Sequence, residues 1–396
     1  MRSVARIAQR HVFLVSLGFC LVFGTVLKAA PRRTRFGIYY AVWHCSVASG
    51  NPAGQPVYDI SKILLGQGSW GPVPEFHWWG QPAAGYYCLA NNDSVLRQHA
   101  LLLRNAGIEF IYVDSSNWPY TDNRDNLDSA TAVQAPFNAL LREWSLIPNA
   151  PKVVPWAPLT ADGDMLQYLL RRMADYSNLK FYYEGKPLAL VVENDTTAVD
   201  PAKFAALSAA YTLRKMWAFY PQNPTDHWSF MQACGPGFRA SQGTEACHQN
   251  YAERNGGIEE IPIIGAYQDT YISDKTTAAP RFHGRTFAKQ FETLTSHPGA
   301  PIALIYGWNE WIAQRFCLNA AGAATSDSTQ CLTDQFPDHS RVFVDEYAGE
   351  YNKDIEPVAG PSGDYYYRLM KACIEMYRKG SPCDENSVPA IEQHPH

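Results

Sequence analysis

The chain has 396 residues, of which 46% are hydrophobic and 18% charged, so it can bury a large core and is not intrinsically disordered. Its formal net charge is −5, and lysine and arginine do not cluster beyond the first 35 residues. This charge pattern excludes nucleic acid and anionic membrane surfaces as expected partners. Aromatic residues make up 13% of the chain, an enrichment that fits either a large aromatic core or stacking on the faces of sugar rings.

Residues 1–30 have the pattern of a secretory signal peptide. Three arginines precede the apolar run Val12–Val26, and small residues precede an expected cleavage after Ala30. The run is short for a membrane span. Lys28 lies close to the cleavage site and Pro31 follows it, so an uncleaved anchor is the alternative.

The cysteine count agrees with export. Cys20 lies inside the signal, and the remaining eight form an even set, which in an exported chain indicates disulfides. Three near-neighbour pairs are 234–247, 317–331 and 373–383, which leaves Cys45 with Cys88. The sequence contains no CxxC or HExxH motif, so we expect no metal and no cofactor.

Seven apolar, β-rich runs follow one another along the chain: Phe36–Trp43, Ile108–Asp114, Lys152–Trp156, Pro187–Glu193, Lys215–Tyr220, Ile261–Tyr267 and Pro301–Trp308. Helical patterns lie between them: Ser94–Ala106, Phe137–Trp144, Asp164–Tyr176, Pro201–Leu213 and Arg285–Leu294. Near-continuous apolar strands that alternate with helices predict a parallel sheet covered on both faces.

A weaker eighth strand at Arg341–Asp345 favours a (β/α)8 TIM barrel as one domain over residues 31–383, with loops stapled by disulfides. A final helix at Asp364–Arg378 closes the fold, and residues 384–396 form a polar tail. Gly66–Gly71 fits the dinucleotide pattern GxGxxG, but the residues before it look helical and two prolines follow closely. That context excludes a dinucleotide site.

In such a barrel the active site lies at the carboxyl ends of the strands. Three carboxylates at these ends are candidate catalytic residues: Asp114, Glu193 and Glu310. Acids without clustered bases or metal ligands fit glycoside hydrolysis, in which one carboxyl protonates the leaving oxygen and another acts as nucleophile or activates water. Candidate substrate-binding residues at the same ends are Tyr40, Trp43, His44, Asn117, Trp118, Trp156, Tyr267, Asp269, Trp308, Asn309 and Trp311.

Each carboxylate also has a structural interpretation. Glu310 stands between two tryptophans, and partial desolvation there raises the pKa of a carboxyl towards the range of a general acid. The structural alternatives are a turn cap for Asp114 through Ser115 and Ser116, an ion pair of Glu193 with Arg214 or Lys215, and an ion pair of Glu310 with Arg315.

Trp308–Trp311 (WNEW), directly after a predicted strand, resembles the WNEW segment of glycoside hydrolase families 99 and 71 and of the related WbsX-like proteins. Tyr39–His44 is similar to the opening strand of that group, and Asp354–Pro357 to the LEP segment that follows WNEW. The resemblance implies a (β/α)8 enzyme that acts on α-linked glycans.

By position, Glu310 corresponds to the first glutamate of the family 99 motif E-W-x-E, and the second glutamate falls on Ala313. Alanine cannot transfer a proton, so the resemblance requires a second acid from another strand, either Asp114 or Glu193.

We therefore expect a secreted glycoside hydrolase, monomeric and endo-acting, with no stable membrane association after signal cleavage. The expected substrate is an α-linked polysaccharide or glycan, such as a mannan-type glycan or a sulfated fucan. Ala313 motivates the alternative of a non-catalytic carbohydrate-binding protein on a degenerate barrel. A carbohydrate esterase is a weaker alternative, because the chain has no GxSxG elbow and no metal-ligand cluster.

Overall fold

The structure, a computed structural model, describes residues 33–45, 57–73, 75–117, 130–218, 226–231, 251–266, 280–315, 317–321, 324–325, 327–330, 351–360 and 362–388. The predicted signal peptide and the predicted strand Arg341–Asp345 lie outside these residues.

The central feature is a mostly parallel sheet. Its seven parallel strands run in the order β7-β6-β4-β3-β1-β10-β9, with antiparallel β5 beside β6 and antiparallel β8 beside β9. Two further antiparallel pairs are β2 with β11 and β12 with β13. The strands are β1 (Arg35–Ala41), β2 (Phe76–Trp78), β3 (Phe110–Asp114), β4 (Lys152–Pro158), β5 (Tyr182–Tyr183), β6 (Lys186–Val192), β7 (Thr212–Met216), β8 (Ala252–Arg254), β9 (Gly257–Ile264), β10 (Ile302–Tyr306), β11 (Ile312–Gln314), β12 (Cys317–Leu318) and β13 (Ala324–Thr325).

Helices connect the parallel strands and cover the outer face of the sheet. In α2, the side chain of Asn92 accepts from the backbone N–H of Val95 at the start, and Gly107 ends the helix with a left-handed φ of 87°. The buried face of α2 packs against α3 and α7. The helices are α1 (Ile60–Ile63), α2 (Asp93–Ala106), α3 (Ala135–Ser145), α4 (Met165–Arg172), α5 (Pro201–Ser208), α6 (Arg285–Ser296) and α7 (Tyr365–Arg378).

All seven parallel strands and the helices between them were predictable from hydrophobic patterning. The largest difference is at the fifth strand, predicted at Lys215–Tyr220 and observed at Thr212–Met216. The preceding helix, predicted to reach Leu213, ends at Ser208. The alanine-rich sequence there contains no helix breaker, and pairing of β7 with β6 decides the boundary.

The two faces of β1 have different neighbours. The hydroxyl of Tyr40 hydrogen-bonds to Nδ1 of His99 in α2 at 2.8 Å, and its ring packs edge-on against Trp144 in α3. Tyr39, on the opposite face, contacts the rings of Tyr112 and Tyr306. Since side chains alternate along a strand, the face of Tyr40 is covered by helices and the face of Tyr39 lines the enclosed side of the sheet.

The sheet is curled, as a segment at residues 226–231 shows. Trp228 in this segment forms a parallel bridge with Met216 at the end of β7. Phe230 contacts Trp156 on β4 and also Tyr306 on β10, although β3 and β1 separate these two strands. One side chain can reach both strands only if the sheet bends around it.

The structure thus confirms a mixed α/β fold with a curled parallel sheet. It does not confirm the complete eight-stranded barrel that the sequence predicts. The seventh parallel strand, β10, pairs directly with β1, and Ile305 is opposite Ile38. No strand therefore lies between the seventh strand and the first, where the predicted eighth would stand. The gap between β7 and β9 is instead the place where residues 226–231 run.

Two of the four predicted disulfides are confirmed. Cys45 pairs with Cys88 and ties the turn after β1 to the segment before α2, and Cys373 pairs with Cys383 at the end of α7. The other two predicted pairs each include a cysteine outside the described residues. No helix in the described part of the chain is both long enough and apolar enough to cross a membrane.

A close approach inside the sheet gives a test of this packing. Gly37 on β1 faces Phe110 on β3, and a Cβ at position 37 would lie 2.3 Å from that ring. We expect Gly37→Ala to lower the free energy of unfolding by about 1–3 kcal/mol, because the Phe110 ring has to move within a packed interior. Urea denaturation measures this change.

The matched control is Gly299→Ala, since a Cβ at position 299 would meet no atom within 4 Å. It should leave the urea midpoint nearly unchanged. Equal effects of the two substitutions would contradict the inward placement of Gly37.

Candidate active site

Five aromatic side chains form a closed cycle on the enclosed side of the sheet, named here the aromatic collar: Tyr39, Tyr112, Trp156, Phe230 and Tyr306. Their ring centroids are separated in turn by 5.8, 6.2, 5.1 and 5.2 Å, and the cycle closes with 4.4 Å between Tyr306 and Tyr39. The rings come from β1, β3, β4, residues 226–231 and β10. They lie towards the carboxyl ends of the strands, the end at which parallel α/β proteins bind ligands.

Asp114 is the last residue of β3, and its side chain reaches the collar. Its Oδ2 accepts a hydrogen bond from the hydroxyl of Tyr39 at 2.8 Å, and its Oδ1 accepts from the backbone N–H of Ser116 at 2.8 Å. The residue is 4% exposed. Burial raises the pKa of Asp114, and hydrogen bonds from Ser116, Tyr39 and Trp43 offset the increase only in part. Asp114 therefore caps the turn after β3, which is the structural role that the sequence offers for it. Its carboxyl also contacts the collar through Tyr39.

Glu310 lies four residues beyond the end of β10 and is half-buried. Its Oε2 accepts a hydrogen bond from the hydroxyl of Tyr306. Its backbone N–H donates to Oδ1 of Asp354 at 2.6 Å. Glu310 is thus held by its side chain on the collar and by its main chain on the segment that resembles LEP.

These two carboxylates share one aromatic support. Tyr39 donates to Asp114 and Tyr306 donates to Glu310, and the two rings are 4.4 Å apart. Burial is the main reason that the pKa of Tyr39 lies well above its ordinary value, and the charges of Asp114 and Glu310 raise it further. Both carboxyls therefore act on the same phenol, which places them in one site.

The main chain at Glu310 is fixed by a buried polar cluster. Besides the Glu310 N–H, Asp354 accepts from Nδ2 of Asn352 at 3.1 Å. The Arg281 guanidinium donates to Oδ1 of Asn352 at 2.7 Å and lies 3.9 Å from the centroid of the Tyr366 ring. Since these groups are enclosed and hydrogen-bonded to one another, they orient the loop that carries Glu310.

Glu193, the third candidate, is ion-paired. It follows β6 and accepts from Nζ of Lys215 at 2.8 Å and from Nε2 of His227 at 2.6 Å. Burial alone would raise the pKa of Glu193, but the hydrogen bonds and charges of Lys215 and His227 outweigh it and lower the pKa. The predicted pairing with Lys215 is confirmed, whereas Arg214 binds Glu259. Because Lys215 and His227 both bond to its carboxylate, Glu193 is a weaker catalytic candidate than Asp114 or Glu310.

The structure places five of the expected subsite residues in the scaffold: Tyr40, His44, Trp308, Asn309 and Trp311. They are buried, and their partners lie away from the collar. Glu356 is the hub of this scaffold, since its carboxylate accepts from Nε2 of His99 at 2.8 Å, from the Tyr87 hydroxyl at 2.7 Å and from the Trp311 indole. Trp308 packs edge-on against His99 and Tyr367.

Asn309 and His44 lock the loop after β10 to β1. The Asn309 side chain accepts from the N–H of Ala41 at 2.8 Å and donates to its carbonyl at 3.0 Å. Nε2 of His44 donates to the carbonyl of Asn309 at 2.7 Å. Burial lowers the pKa of His44 to about 3, so the ring is neutral at physiological pH. Neither side chain is placed to bind a substrate.

Three of the remaining candidates stay near the collar. Trp156 is part of it, Trp43 hydrogen-bonds to the Asp114 side chain, and Asn117 is exposed just beyond Asp114. Trp118, Tyr267 and Asp269 lie outside the described residues. In the described part of the chain, no group of three or more His, Cys, Asp or Glu side chains is placed to hold a metal ion.

Sequence reasoning missed five residues of the site: Tyr39, Tyr112, Tyr306, Phe230 and Asp354. Tyr112 stands two positions before Asp114 on β3, so strand alternation could have indicated it once Asp114 was taken to face inward. Phe230 lies in a short segment without a strand pattern, and no local signal marks it.

Comparisons of this chain with models of protein families and with curated proteins find no match. Support for a function therefore comes from the collar, its two carboxylates and the motif residues themselves.

One more carboxyl faces the enclosed side of the sheet. Glu260 on β9 is 0% exposed, and its Oε2 accepts from the backbone N–H of Ser229 at 3.2 Å. Its other oxygen has no hydrogen-bond partner among the described residues. Burial raises the pKa of Glu260 well above its ordinary value, and its charge in turn raises the pKa of Tyr112.

This shift predicts a pH-dependent stability. Because folding raises the pKa of Glu260, the stability that it contributes is full below about pH 4, where the unfolded side chain is also protonated, and is lost as pH rises. We expect the free energy of unfolding of the wild type to fall between pH 5 and pH 8 relative to that of Glu260→Gln. Urea denaturation of both proteins at the two pH values measures the difference.

Glu193→Gln is the control of opposite sign. Folding lowers the pKa of Glu193, so its contribution is present at neutral pH and lost in acid. This variant should be less stable than wild type at pH 8, and the gap should close in acid. Parallel pH curves for wild type and Glu260→Gln would contradict the buried, protonated state of Glu260.

Proposed function

We propose that this protein is a glycoside hydrolase that uses Asp114 and Glu310 as its two catalytic carboxyls. The observation that carries the proposal is the contact between two tyrosines, Tyr39 and Tyr306, each of which donates to one of the two acids. Glycoside hydrolysis needs two carboxyls that flank one bond. Asp114, at the end of β3, and Glu310, in the loop after β10, both contact the aromatic collar and can serve as that pair.

The environments of the two acids support different roles. Burial raises the pKa of Asp114, so a larger fraction of it is protonated and can deliver a proton to the leaving oxygen. Glu310 is half-buried and accepts a hydrogen bond from Tyr306, a contact that orients it and stabilises its charged form. Glu310 is then the nucleophile, or the base that activates water.

The collar is the proposed sugar platform. Its rings offer apolar surface to the C–H faces of a sugar, as aromatic side chains do in ligand sites. Trp43 and Asn117, beside Asp114, are proposed contacts, together with Trp118, Tyr267 and Asp269.

The resemblance to the family 99 motif supports the same function, but the second catalytic acid has to come from a different position. Position 313, where family 99 carries its second glutamate, is an alanine in β11, and β11 pairs with β2. We assign the missing role to Asp114, which comes from β3. An α-linked substrate remains part of the proposal on this resemblance, as does a closed barrel in which residues 226–231 stand between β7 and β9.

Export is part of the proposal as well. Two disulfides, Cys45–Cys88 and Cys373–Cys383, are typical of proteins that mature in an oxidising compartment. With residues 1–30 as the signal peptide, the proposed enzyme is secreted and acts as a monomer on a polysaccharide or glycan.

Substitution of either acid tests the mechanism. We expect Glu310→Gln and Asp114→Asn each to lower the rate of hydrolysis by about 10²–10⁴-fold, since each removes a proton-transferring or nucleophilic group. Release of reducing ends from soluble polysaccharides, including α-mannan, measures the rate. Glu193→Gln is the matched control and should keep the rate within about tenfold of wild type.

Near-wild-type hydrolysis by Glu310→Gln would rule out the proposed mechanism. If wild type and both variants bind the same oligosaccharide and none cleaves it, the protein is a carbohydrate-binding protein instead.

The pH profile tests the assignment of the acid. A general acid works in its protonated form, so kcat/KM should fall as pH rises through the raised pKa of Asp114, with a slope of about −1 on logarithmic axes. Asp114→Asn should remove this alkaline limb from whatever activity is left. An alkaline limb that persists in Asp114→Asn would assign the acid to another residue.

A further inference from the structure

We propose that the indole N–H of Trp156 is a specificity-determining donor that binds an oxygen of a neutral sugar held within the collar. This inference rests on the proposed function, because it assigns a substrate contact in the same site.

One polar group of the collar has no hydrogen-bond partner in the part of the chain that the structure describes. The hydroxyls of Tyr39, Tyr306 and Tyr112 donate to Asp114, Glu310 and the carbonyl of Ile305, the last at 3.2 Å. Phe230 has no polar atom. The Nε1 of Trp156 is buried and has no hydrogen-bond acceptor among the described residues, and the residue is 2% exposed.

Trp156 lies beside Asp114, so its indole N–H is close to where a substrate of that acid would bind. Trp156 on β4 and Asp114 on β3 are direct neighbours in the parallel register, so both side chains project from the same face of the sheet. Trp217 and Phe230 hold the indole, with ring centroids 6.0 and 5.1 Å away. A buried N–H without an acceptor is unfavourable, and a ligand oxygen placed beside Asp114 would remove that cost.

Two other buried donors also have no partner among the described residues, but they do not face the collar. They are Nε1 of Trp308 and Oγ of Ser115. Trp308 packs against His99 and Tyr367 on the helix-covered face. Ser115 directly follows the last residue of β3, and its N–H continues the ladder to the carbonyl of Trp156 at 3.0 Å, so its side chain alternates to the face opposite Asp114. Trp156 is the donor of this group that faces the two carboxylates.

The charge around the collar favours a neutral ligand. Asp114 and Glu310 contribute two acidic groups, and one cation, Lys353, lies 6.0 Å from the centroid of the Tyr306 ring. Lys215 is ion-paired with Glu193 at 2.8 Å and so offers little free positive charge. A sulfate or carboxylate on the bound sugar would lie beside two acidic side chains and an apolar wall, whereas a hydroxyl or ring oxygen can accept from Trp156.

The test follows the indole N–H signals of the 15N-tryptophan-labelled full chain by NMR. Trp156→Phe identifies the Trp156 signal and keeps an aromatic ring while removing the donor. Oligosaccharides of α-mannan, starch and cellulose are added as neutral probes, and a sulfated fucan oligosaccharide as the anionic probe. Glu310→Gln carries the same label where cleavage would consume the probe.

We expect a neutral probe to shift the Trp156 signal downfield. The Kd of that probe should be about three- to tenfold weaker for Trp156→Phe, the loss of one neutral hydrogen bond. Trp308→Phe, the same chemical change on the helix-covered face, should leave the Kd unchanged.

The outcomes separate this inference from the proposed function. Binding of a neutral probe with an unmoved Trp156 signal, or equal affinity for wild type and Trp156→Phe, overturns the inference alone. Preferred binding of the sulfated probe overturns the neutral-sugar assignment. A Trp156 shift without hydrolysis overturns the hydrolase proposal and supports the contact. Failure of every probe to bind overturns both.

Discussion

The contact between Tyr39 and Tyr306 depends on the direct pairing of β1 with β10. Because Ile38 is opposite Ile305, the next residue of each strand is a tyrosine on the enclosed face, and the two rings meet. Neighbouring strands are separated by about 4.8 Å, so a strand inserted between them would move the two phenols about 10 Å apart. Asp114 and Glu310 would then have separate supports. The two-acid site therefore requires that the first and seventh strands be neighbours.

The WNEW motif divides its residues between two tasks. Glu310 faces the collar, whereas Trp308, Asn309 and Trp311 belong to the buried network around Glu356 and Ala41. Main-chain hydrogen bonds also join the motif and the residue before it to the Asp354–Pro357 segment, from the N–H of Ile355 to the carbonyl of Gly307 at 3.0 Å and from the N–H of Glu356 to the carbonyl of Trp308 at 2.9 Å. Because the other three residues of the motif are buried, Glu310 is held more rigidly than it would be on a flexible loop.

Hydrophobic patterning predicted the strands, most helix positions and, through strand ends, Asp114 and Glu310. It did not decide which face of a strand looks inward, since alternation gives only relative orientation. Tyr40 was therefore expected in the site, and its neighbour Tyr39 is found there. The choice depends on His99 and Trp144, which lie in helices far along the sequence. The pairing of Glu193 with Lys215 is one of the alternatives that the sequence offers, because Lys215 belongs to the next strand along the chain.

The collar takes four of its rings from regular strands and the fifth, Phe230, from the short segment 226–231. That segment is joined to its surroundings by the main-chain bridge between Trp228 and Met216 and by side-chain bonds such as that from the Trp228 indole to Glu259 at 2.9 Å. Changes in the length of residues 226–231, or in residue 230, would alter the space inside the collar without disturbing the strands that hold Asp114 and Glu310. In evolution, or in laboratory selection, the ligands that the collar accepts can then diverge while Asp114 and Glu310 are inherited unchanged.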